Sequence, residues 1–588
     1  MVKRLAIVER DKCAPSKCGN YWCIGACPVN RNSQDCIYPS DVDKKVIIDE
    51  ELCIGCGICV RCPFDAIKII NLPERLQTDP VHRYGRNLFE LFTLPVPKKN
   101  AVVGLLGRNG IGKSTALQIL SGDIIPNLGD YKSKPNQESV INKFAHVALG
   151  DHFRKLYDQR IKISYKPQRV ELLPKTVKGT VNELIKKVDE TGKGDDVLHI
   201  LNMELVKNRD INKLSGGELQ RLAIAAAVVK KFDILLLDEP ASFLDISQRV
   251  QVAKLIRNIA SNSSVIVVEH DLATLDYVSD EIQVAYGEQV AYGVVAQSKS
   301  VKRGINEYLD GYLPDDNVRF RDYGIKFSVP LPKRERQTVL FEYPYLKKIF
   351  EGFTLDVEPG FVNSGEVLAV MGQNGLGKST FLKLLAGVEH SDSGKVPDLS
   401  ISYKPQYLEA DEQIVQEYLQ AIAGVKFSSG WYKHNILEKL NLKPLLLSRL
   451  STLSGGELQK VQVAACLSRN AEVFAFDEPS AFIDVEDRLK VAEVIKEFVQ
   501  RNEVSALIVD HDVQFVDYVA DSMLVFGGVC GKSGFVSSPV DKRSGMNKVL
   551  KMLDITYRQD SETNRPRINK PNSQLDVLQK KKGEYYYK

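Results

Sequence analysis

Two kinds of hydrophobic pattern run along this chain. The first is the short, unbroken apolar run that reads as a strand buried on both faces. Residues 101–106 form one such run and residues 115–120 read as the start of a helix, with a glycine-rich loop between them. Val367–Met371 stands in the same context, so a strand, loop and helix unit is expected twice. Two further apolar strands each end in adjacent carboxylates, Asp238-Glu239 and Asp477-Glu478. The second pattern is helical. In residues 142–160, NKFAHVALGDHFRKLYDQR, the apolar spacing predicts short amphipathic helices. No stretch reaches 18 consecutive apolar residues, so no membrane-spanning helix is expected. The opening MVKRLAIVERDKC breaks into charge too soon for a secretory signal, which makes a cytoplasmic location the expectation.

The unit is part of a longer internal repeat. GRNGIGKST at 107–115 returns as GQNGLGKST at 372–380, and YKPQ at 165–168 returns at 403–406. LSGGELQ occurs at 214–220 and 453–459; LLLDEPASFLD at 235–245 answers FAFDEPSAFID at 474–484; EHD at 269–271 answers DHD at 510–512. Lys113 and Lys378 lie 265 positions apart, but Gln168 and Gln406 only 238, and Asp238 and Asp477 only 239. The first copy therefore holds about 27 extra residues between its glycine loop and its glutamine, which places the predicted amphipathic helices in an insertion.

A chain of 588 residues is too long for one core, and three or four domains are expected. The reading is a cysteine-rich domain at 1–75, a first repeat at 76–297 with its insertion at about 130–162, a charged connector at 298–322, a second repeat at 323–541 and a basic segment at 542–588. That last segment carries 12 Lys and Arg against 5 Asp and Glu. The formal charge of the whole chain is only +4, so any contact with nucleic acid has to be local.

The chemistry of the repeat is nucleotide chemistry. Glycines 107, 110 and 112, with Asn109, allow a tight turn that aims backbone N–H groups at phosphate oxygens; Gly372, Asn374, Gly375 and Gly377 repeat it. Lys113 and Lys378 would reach the terminal phosphates, and the hydroxyls that follow, Ser114-Thr115 and Ser379-Thr380, would face Mg²⁺. Asp238 and Asp477 would hold Mg²⁺ through water, while Glu239 and Glu478 would orient or deprotonate the attacking water. Tyr84 or Phe92 would stack on adenine. The turns Leu214-Ser215-Gly216-Gly217-Glu218 and Leu453-Ser454-Gly455-Gly456-Glu457 resemble the signature of ABC-type ATPases. That resemblance implies two α/β domains packed head to tail. Site one would join Lys113, Ser114, Gln168, Asp238, Glu239 and His270 to Ser454–Gly456; site two would join Lys378, Ser379, Gln406, Asp477, Glu478 and His511 to Ser215–Gly217. It also implies that the glutamines complete the Mg²⁺ shell and the histidines contact the γ-phosphate.

Eleven cysteines are present and nine fall within the first 62 residues, a crowding that favours a metal site over disulfides. Cys53-x2-Cys56-x2-Cys59 followed by Cys62-Pro63 is similar to the bacterial ferredoxin pattern for a [4Fe–4S] cluster, with one residue fewer before the last cysteine. Cys13, Cys18, Cys23 and Cys27-Pro28 supply a second, looser set. By the ferredoxin likeness the sets exchange their last members: Cys13, Cys18, Cys23 and Cys62 on one cluster, and Cys27, Cys53, Cys56 and Cys59 on the other. Zinc remains the competing reading for thiolate quartets. Cys36, Cys466 and Cys530 are expected not to be ligands.

Two ferredoxin-type sets followed by two ABC-type ATPase domains resemble, over essentially the whole chain, the class E ABC proteins, the ribosome-recycling factors of archaea and eukaryotes. HRYG at 82–85, the connector SVKRGINEYLDGYLPDDNVRFRD at 300–322 and NRPRINK at 564–570 are further matching strings. The resemblance implies an α+β ferredoxin-like N-terminal domain, two [4Fe–4S] clusters of structural role, ATP and Mg²⁺. It implies hinges at 300–322 and 544–570 and an rRNA-contacting helix–loop–helix in the first ATPase domain. The implied partners are the small ribosomal subunit with its rRNA and proteins, a release factor or Pelota-like factor, and initiation factors. The absence of long charged extensions and the Lys and Arg content suggest an archaeal source. Two other classes fit parts of the sequence: ATP-coupled electron transfer through the clusters, and the ATPase subunit of a membrane transporter.

Overall fold

A computed structural model describes residues 4–10, 12–71, 79–325, 327, 338–396, 398–406 and 411–586; the expected boundary at 75/76 lies outside them. Among the described residues, each repeat builds a nine-stranded mixed sheet with the same strand order. In the first, Ile163–Lys166, Ile234–Asp238, Ser264–Val268, Val102–Leu106 and Glu281–Glu288 run parallel as neighbours in that order. In the second, Ile401–Lys404, Val473–Asp477, Ser505–Val509, Val367–Met371 and Ser522–Val529 do the same. The unbroken apolar runs are explained by position: Val102–Leu106, Ile234–Asp238, Val367–Met371 and Val473–Asp477 are buried at every residue, as parallel strands with helices on both faces must be.

The cysteine-rich region pairs Arg4–Val8 antiparallel with Ile67–Asn71 and Ile37–Pro39 with Val46–Ile48, around the short helices Trp22–Ala26 and Pro28–Arg31. The extra residues of the first repeat form two helices, Gln137–Phe144 and Ala148–Tyr157. Val140, Phe144, Leu149 and Phe153 pack with Leu117 and Leu120 of the phosphate-loop helix Lys113–Ser121.

Each repeat ends alike. A short strand returns to the sheet (Lys299–Ser300, Val540–Asp541), then comes a helix (Val301–Asp310, Lys542–Met552) and a two-stranded hairpin (Tyr312–Leu313 with Val318–Arg319, Tyr557–Gln559 with Pro566–Ile568). The connector and the basic segment are thus the same tail used twice, which their sequences do not reveal. The second tail crosses to the first half: Ile555, Tyr557 and Ile568 share a core with Ala273 and Tyr277.

Candidate nucleotide sites and cysteine quartets

Strand Val102–Leu106 delivers its chain into the glycine loop, and helix Lys113–Ser121 receives it. Gly112 caps that helix at φ 85°, and a Cβ there would sit 2.6 Å from the Phe89 ring, so both backbone and space demand glycine. Lys113 Nζ donates to the carbonyls of Gly107 (2.8 Å) and Arg108 (2.6 Å), and Lys378 Nζ to those of Gly372 (2.9 Å) and Gln373 (2.7 Å). Burial pushes both ammonium groups down to about 8, against the attraction of nearby acids.

A cavity of about 660 Å³ gathers Tyr84, Asn109, Gly110, Gly112, Lys113, Ser114, Thr115, Gln168, Asp238 and Glu239 from the first half with Ser454, Gly455 and Gly456 from the second. The halves therefore meet head to tail. Ser454 caps helix Gly455–Ser468 through a reciprocal bond with Glu457, leaving a helix start turned towards the phosphate loop. On the other side Asn374 N donates to Asp245 Oδ2 at 2.9 Å, and Asn109 N meets Asp484 Oδ2 at 3.5 Å in return. Ser215 caps Gly216–Val228 in the same way as Ser454. A Cβ on Gly216 would touch the Phe243 ring, which lies edge-on to Phe482 at 5.3 Å. Gly372 and Gly375, by contrast, pack under Phe526 and Gly531 of their own half.

The acids sit at strand ends. Both carboxylate oxygens of Asp238 and Oδ1 of Asp477 are buried without a hydrogen-bond partner, and burial raises both carboxyls while the neighbouring hydroxyls of Ser114 and Ser379 pull them down. Asp238, with both oxygens unpartnered, and Asp477, whose Oδ2 accepts from Tyr403 at 3.4 Å, each stand beside a hydroxyl and have the donor chemistry of a Mg²⁺ site. Glu239 accepts from Gln168 Nε2 (2.7 Å) and Ser242 Oγ (3.0 Å) and faces His270 Nε2 at 3.4 Å. Glu478 accepts from Gln406 Nε2 (2.8 Å) and faces His511 Nε2 at 3.5 Å. Burial works to raise both glutamates, but the histidines and phosphate-loop lysines outweigh it and hold them at about 2. Both are fully ionised and weakly basic, suited to orienting a water.

Of the two aromatic candidates, Tyr84 lines the cavity, with its hydroxyl 3.0 Å from Thr115 Oγ1. Phe92 does not: it is buried edge-on to Tyr292, and Phe89 stands in the cleft instead. The strand pairing of Glu90–Leu91 with Tyr292–Gly293 decides which side chain faces the cleft, and that register is a long-range property. Sequence reasoning also passed over Lys166, Lys404, Gln220 and Gln459, although each lies inside a repeated string. Lys166 Nζ holds the carbonyls of Asp238 (2.7 Å) and Glu239 (3.2 Å), and Lys404 Nζ those of Asp477 (2.8 Å) and Glu478 (3.4 Å).

The thiols fall into two groups. Cys13, Cys18, Cys23 and Cys62 lie close enough that charge on the others raises Cys23, burial being the larger cause, to about 11. Cys27, Cys53, Cys56 and Cys59 line one small cavity with Cys36, and burial and these neighbours push Cys59 to about 12. Gly55 and Gly57, at φ 65° and 75°, let the 53–59 loop wrap that cavity. Cys36 is packed against Cys27 and Cys53. Among the described residues no three His, Cys, Asp or Glu side chains converge as they would on a single ion. Two groups of thiols crowded this closely, with burial raising Cys13 and Cys23 in one and Cys59 in the other, fit a group that takes thiolates. Segment 82–87 joins this domain to the cleft: Arg86 Nη2 pairs with Asp49 (2.7 Å), and Asn87 accepts from Ile48 N (2.9 Å) and donates to Ala6 O (2.8 Å).

No helix among the described residues is long and apolar enough to cross a membrane. Comparison with known proteins finds the ABC transporter family at residues 96–242 and 360–481, and a possible Fer4-like domain of RNase L inhibitor at 4–35. An uncharacterized ABC transporter ATP-binding protein of Methanocaldococcus jannaschii is 48% identical, covering 99% of this chain and 97% of that one. The translation initiation factor RLI1 of Saccharomyces cerevisiae is 42% identical, covering 99% and 98%. Among solved structures, a chain from a model of ribosome-bound archaeal Pelota and ABCE1 superposes with TM-score 0.94 at 48% identity, covering 100% of both chains. A chain from the complex of archaeal ribosomal stalk protein aP1 with an archaeal ribosome recycling factor gives TM-score 0.82 at 49% identity, covering 87% and 99%. With two ATP-hydrolysing cassettes behind a Fer4-like iron–sulfur domain, and relatives of this identity along its full length, the chain belongs to the E family of ABC proteins.

Proposed function

We propose that this chain is a cytoplasmic, ATP-driven ribosome-recycling factor that splits ribosomes into subunits after termination or stalling and stays on the small subunit. The observation that carries the reading is the shared cavity, in which Lys113, Gln168 and Glu239 face Ser454, Gly455 and Gly456 across the domain boundary. In each site the phosphate-loop lysine and backbone bind the triphosphate: Lys113 with Gly107, Asn109, Gly110 and Gly112, and Lys378 with Gly372, Asn374, Gly375 and Gly377. Ser114, Thr115, Gln168 and Asp238, and their counterparts Ser379, Thr380, Gln406 and Asp477, would hold Mg²⁺. Glu239 and Glu478 orient the attacking water, while His270 and His511 fix those glutamates and meet the γ-phosphate. Tyr84 covers adenine in site one.

A γ-phosphate in the shared cavity would meet both halves, so ATP favours the closed arrangement over the open one. Moving an equilibrium from 1:99 to 99:1 takes roughly 10⁴-fold differential affinity, or about a hundredfold from each of two sites. Closure reaches the cysteine-rich domain through 82–87, which touches the nucleotide cavity at Tyr84 and that domain at Arg86 and Asn87. Cys13, Cys18, Cys23 and Cys62 would hold one [4Fe–4S] cluster and Cys27, Cys53, Cys56 and Cys59 the other. The clusters supply covalent cross-links that make the domain a stiff lever. We keep the domain bounds read from the sequence, with hinge regions at 300–322 and 544–570, the latter within the basic C-terminal segment 542–588. The helix–loop–helix at about 130–162 meets rRNA, and a release factor or Pelota-like factor and initiation factors are the protein partners.

Sedimentation of purified ribosomes tests the reading. Subunits separate in the presence of this protein, ATP and a release factor; intact ribosomes under those conditions would defeat it. A chain whose iron and acid-labile sulfide fall short of two clusters would overturn the ligand assignment alone.

A further inference from the structure

Glu239 and Glu478 are held in a backbone conformation that side-chain-bearing residues avoid. Their φ angles are 48° and 50°, in the left-handed region, and neither is glycine. Such a residue stays put only where its surroundings fix it: Glu239 N donates to Val268 O at 2.9 Å and Glu478 N to Val509 O at 2.8 Å, and both carbonyl oxygens are held as well. Gln220 Nε2 donates to Glu239 O at 2.6 Å, and Gln459 Nε2 donates to Glu478 O. The lysines Lys166 and Lys404 donate to the same two oxygens from strands of the central sheets. Gln220 and Gln459 are almost wholly buried, and the Oε1 of each is left without a partner in both repeats. A buried amide that leaves half of its polar group unsatisfied calls for a reason beyond packing.

That reason lies in where the glutamines come from. Gln220 stands five residues after Ser215 on helix Gly216–Val228, and Gln459 five after Ser454 on Gly455–Ser468. Each helix begins with the signature turn that serves the opposite site. Its far end is tied to its own sheet, by Ser164 Oγ on Ala227 O (2.7 Å) and Ser402 Oγ on Cys466 O (2.8 Å). Over five residues a helix is about 7.5 Å of stiff rod. A start drawn onto a phosphate would tilt the rod about its tied end and carry the glutamine with it. The lysine donor on the strand stays fixed.

We infer that Gln220 and Gln459 are positioning residues of the reaction, each linking the signature turn of one ATP site to the backbone of the water-orienting glutamate in the other. Triphosphate engaged by Ser215–Gly217 in site two sets Glu239 in site one through Gln220, and engagement by Ser454–Gly456 sets Glu478 through Gln459. This rests on the shared-site reading above.

The test uses the full chain with its clusters. In an E478Q background only site one turns over. There Gln220→Leu lowers kcat about tenfold while KM for ATP changes less than twofold, and Gln220→Glu, equal in size but without the N–H donor, does the same. Ser215→Arg, which blocks engagement in site two, lowers site-one kcat about tenfold when Gln220 is present and less than twofold when Leu replaces it. Gln459→Leu in an E239Q background gives the mirror result for site two. Effects of Ser215→Arg and Gln220→Leu that multiply, or a Q220L chain with parental kcat, would overturn the inference. The E239Q/E478Q double variant separates this from the underlying reading. If it still hydrolyses ATP, the glutamate roles are wrong; if it does not and Q220L behaves like the parent, only the link fails.

Discussion

Lys113 and Lys378 have to be charged to meet a triphosphate, yet the protein buries them and pushes both down to about 8. A lysine whose pKa is depressed carries its charge below that value and loses it as pH rises through it. The free protein therefore binds ATP best below about pH 8, and kcat/KM for ATP falls about tenfold per pH unit above it, since that ratio reports the free enzyme. Bound triphosphate pulls the lysine pKa back up, so the basic limb of kcat lies higher than that of kcat/KM. Steady-state kinetics across pH 7–10 reads the two limbs, and coincident limbs would mean that the lysines do not set them. Both lysines were legible in the sequence because a phosphate loop constrains neighbouring residues. Asp245 and Asp484 were less so: each accepts from the phosphate loop of the opposite half, and nothing local announces that contact.

At the scale of elements, periodicity carries furthest where a segment packs on its own neighbours. The apolar positions of 142–160 predict amphipathic helices, and Gln137–Phe144 and Ala148–Tyr157 bury Phe144, Leu149 and Phe153 against the phosphate-loop helix. Phe153 is fully buried, 5.1 Å from the Phe144 ring and 5.8 Å from that of Tyr157. Phe153→Ala should cost roughly 3–5 kcal/mol by opening a cavity at that junction. Thermal unfolding would show the loss in the first ATPase domain, with the second unchanged; a loss below about 1 kcal/mol would mean that the hairpin is not anchored there. The phosphate loop sits on the other end of the anchored helix, so the same change should weaken ATP binding in site one. Where packing depends on distant partners, pattern is silent. Phe89 and Phe92 are equally apolar, and only the register with Tyr292 separates a cleft residue from a core residue. The duplicated tails are similarly opaque, because a helix and a hairpin of two or three residues per strand can be written in many ways.

Across the whole molecule, the halves are joined at the nucleotide faces and again at the second tail. Helix Leu272–Val278 begins directly after His270 and Asp271, and its Asp276 receives Arg567 (2.7 and 2.8 Å) and Arg565 (3.4 Å) from the C-terminal hairpin. The equivalent helix of the other half, Val513–Val519, donates through Gln514 to Pro566 O at 3.1 Å. The hairpin thus grips the elements that follow both histidines. Arg565 is wholly inaccessible, and burial lowers its pKa while Asp276 raises it, so the charge is tolerable only with its carboxylate in place. Asp276→Asn keeps the shape and removes the charge. Breaking a buried pair in this way costs about 3–5 kcal/mol, most of it from the stranded guanidinium. Arg567 retains Asp560 at 3.3 Å, so the loss should concentrate on Arg565. Urea unfolding should show the interface transition moving to lower concentration with the ATPase cores intact. Replacing Arg565 by Met in the same chain should recover a large part of the deficit, because it removes the unpaired charge. Failure of that second change to restore stability would mean that Asp276 acts through packing, not through the ion pair.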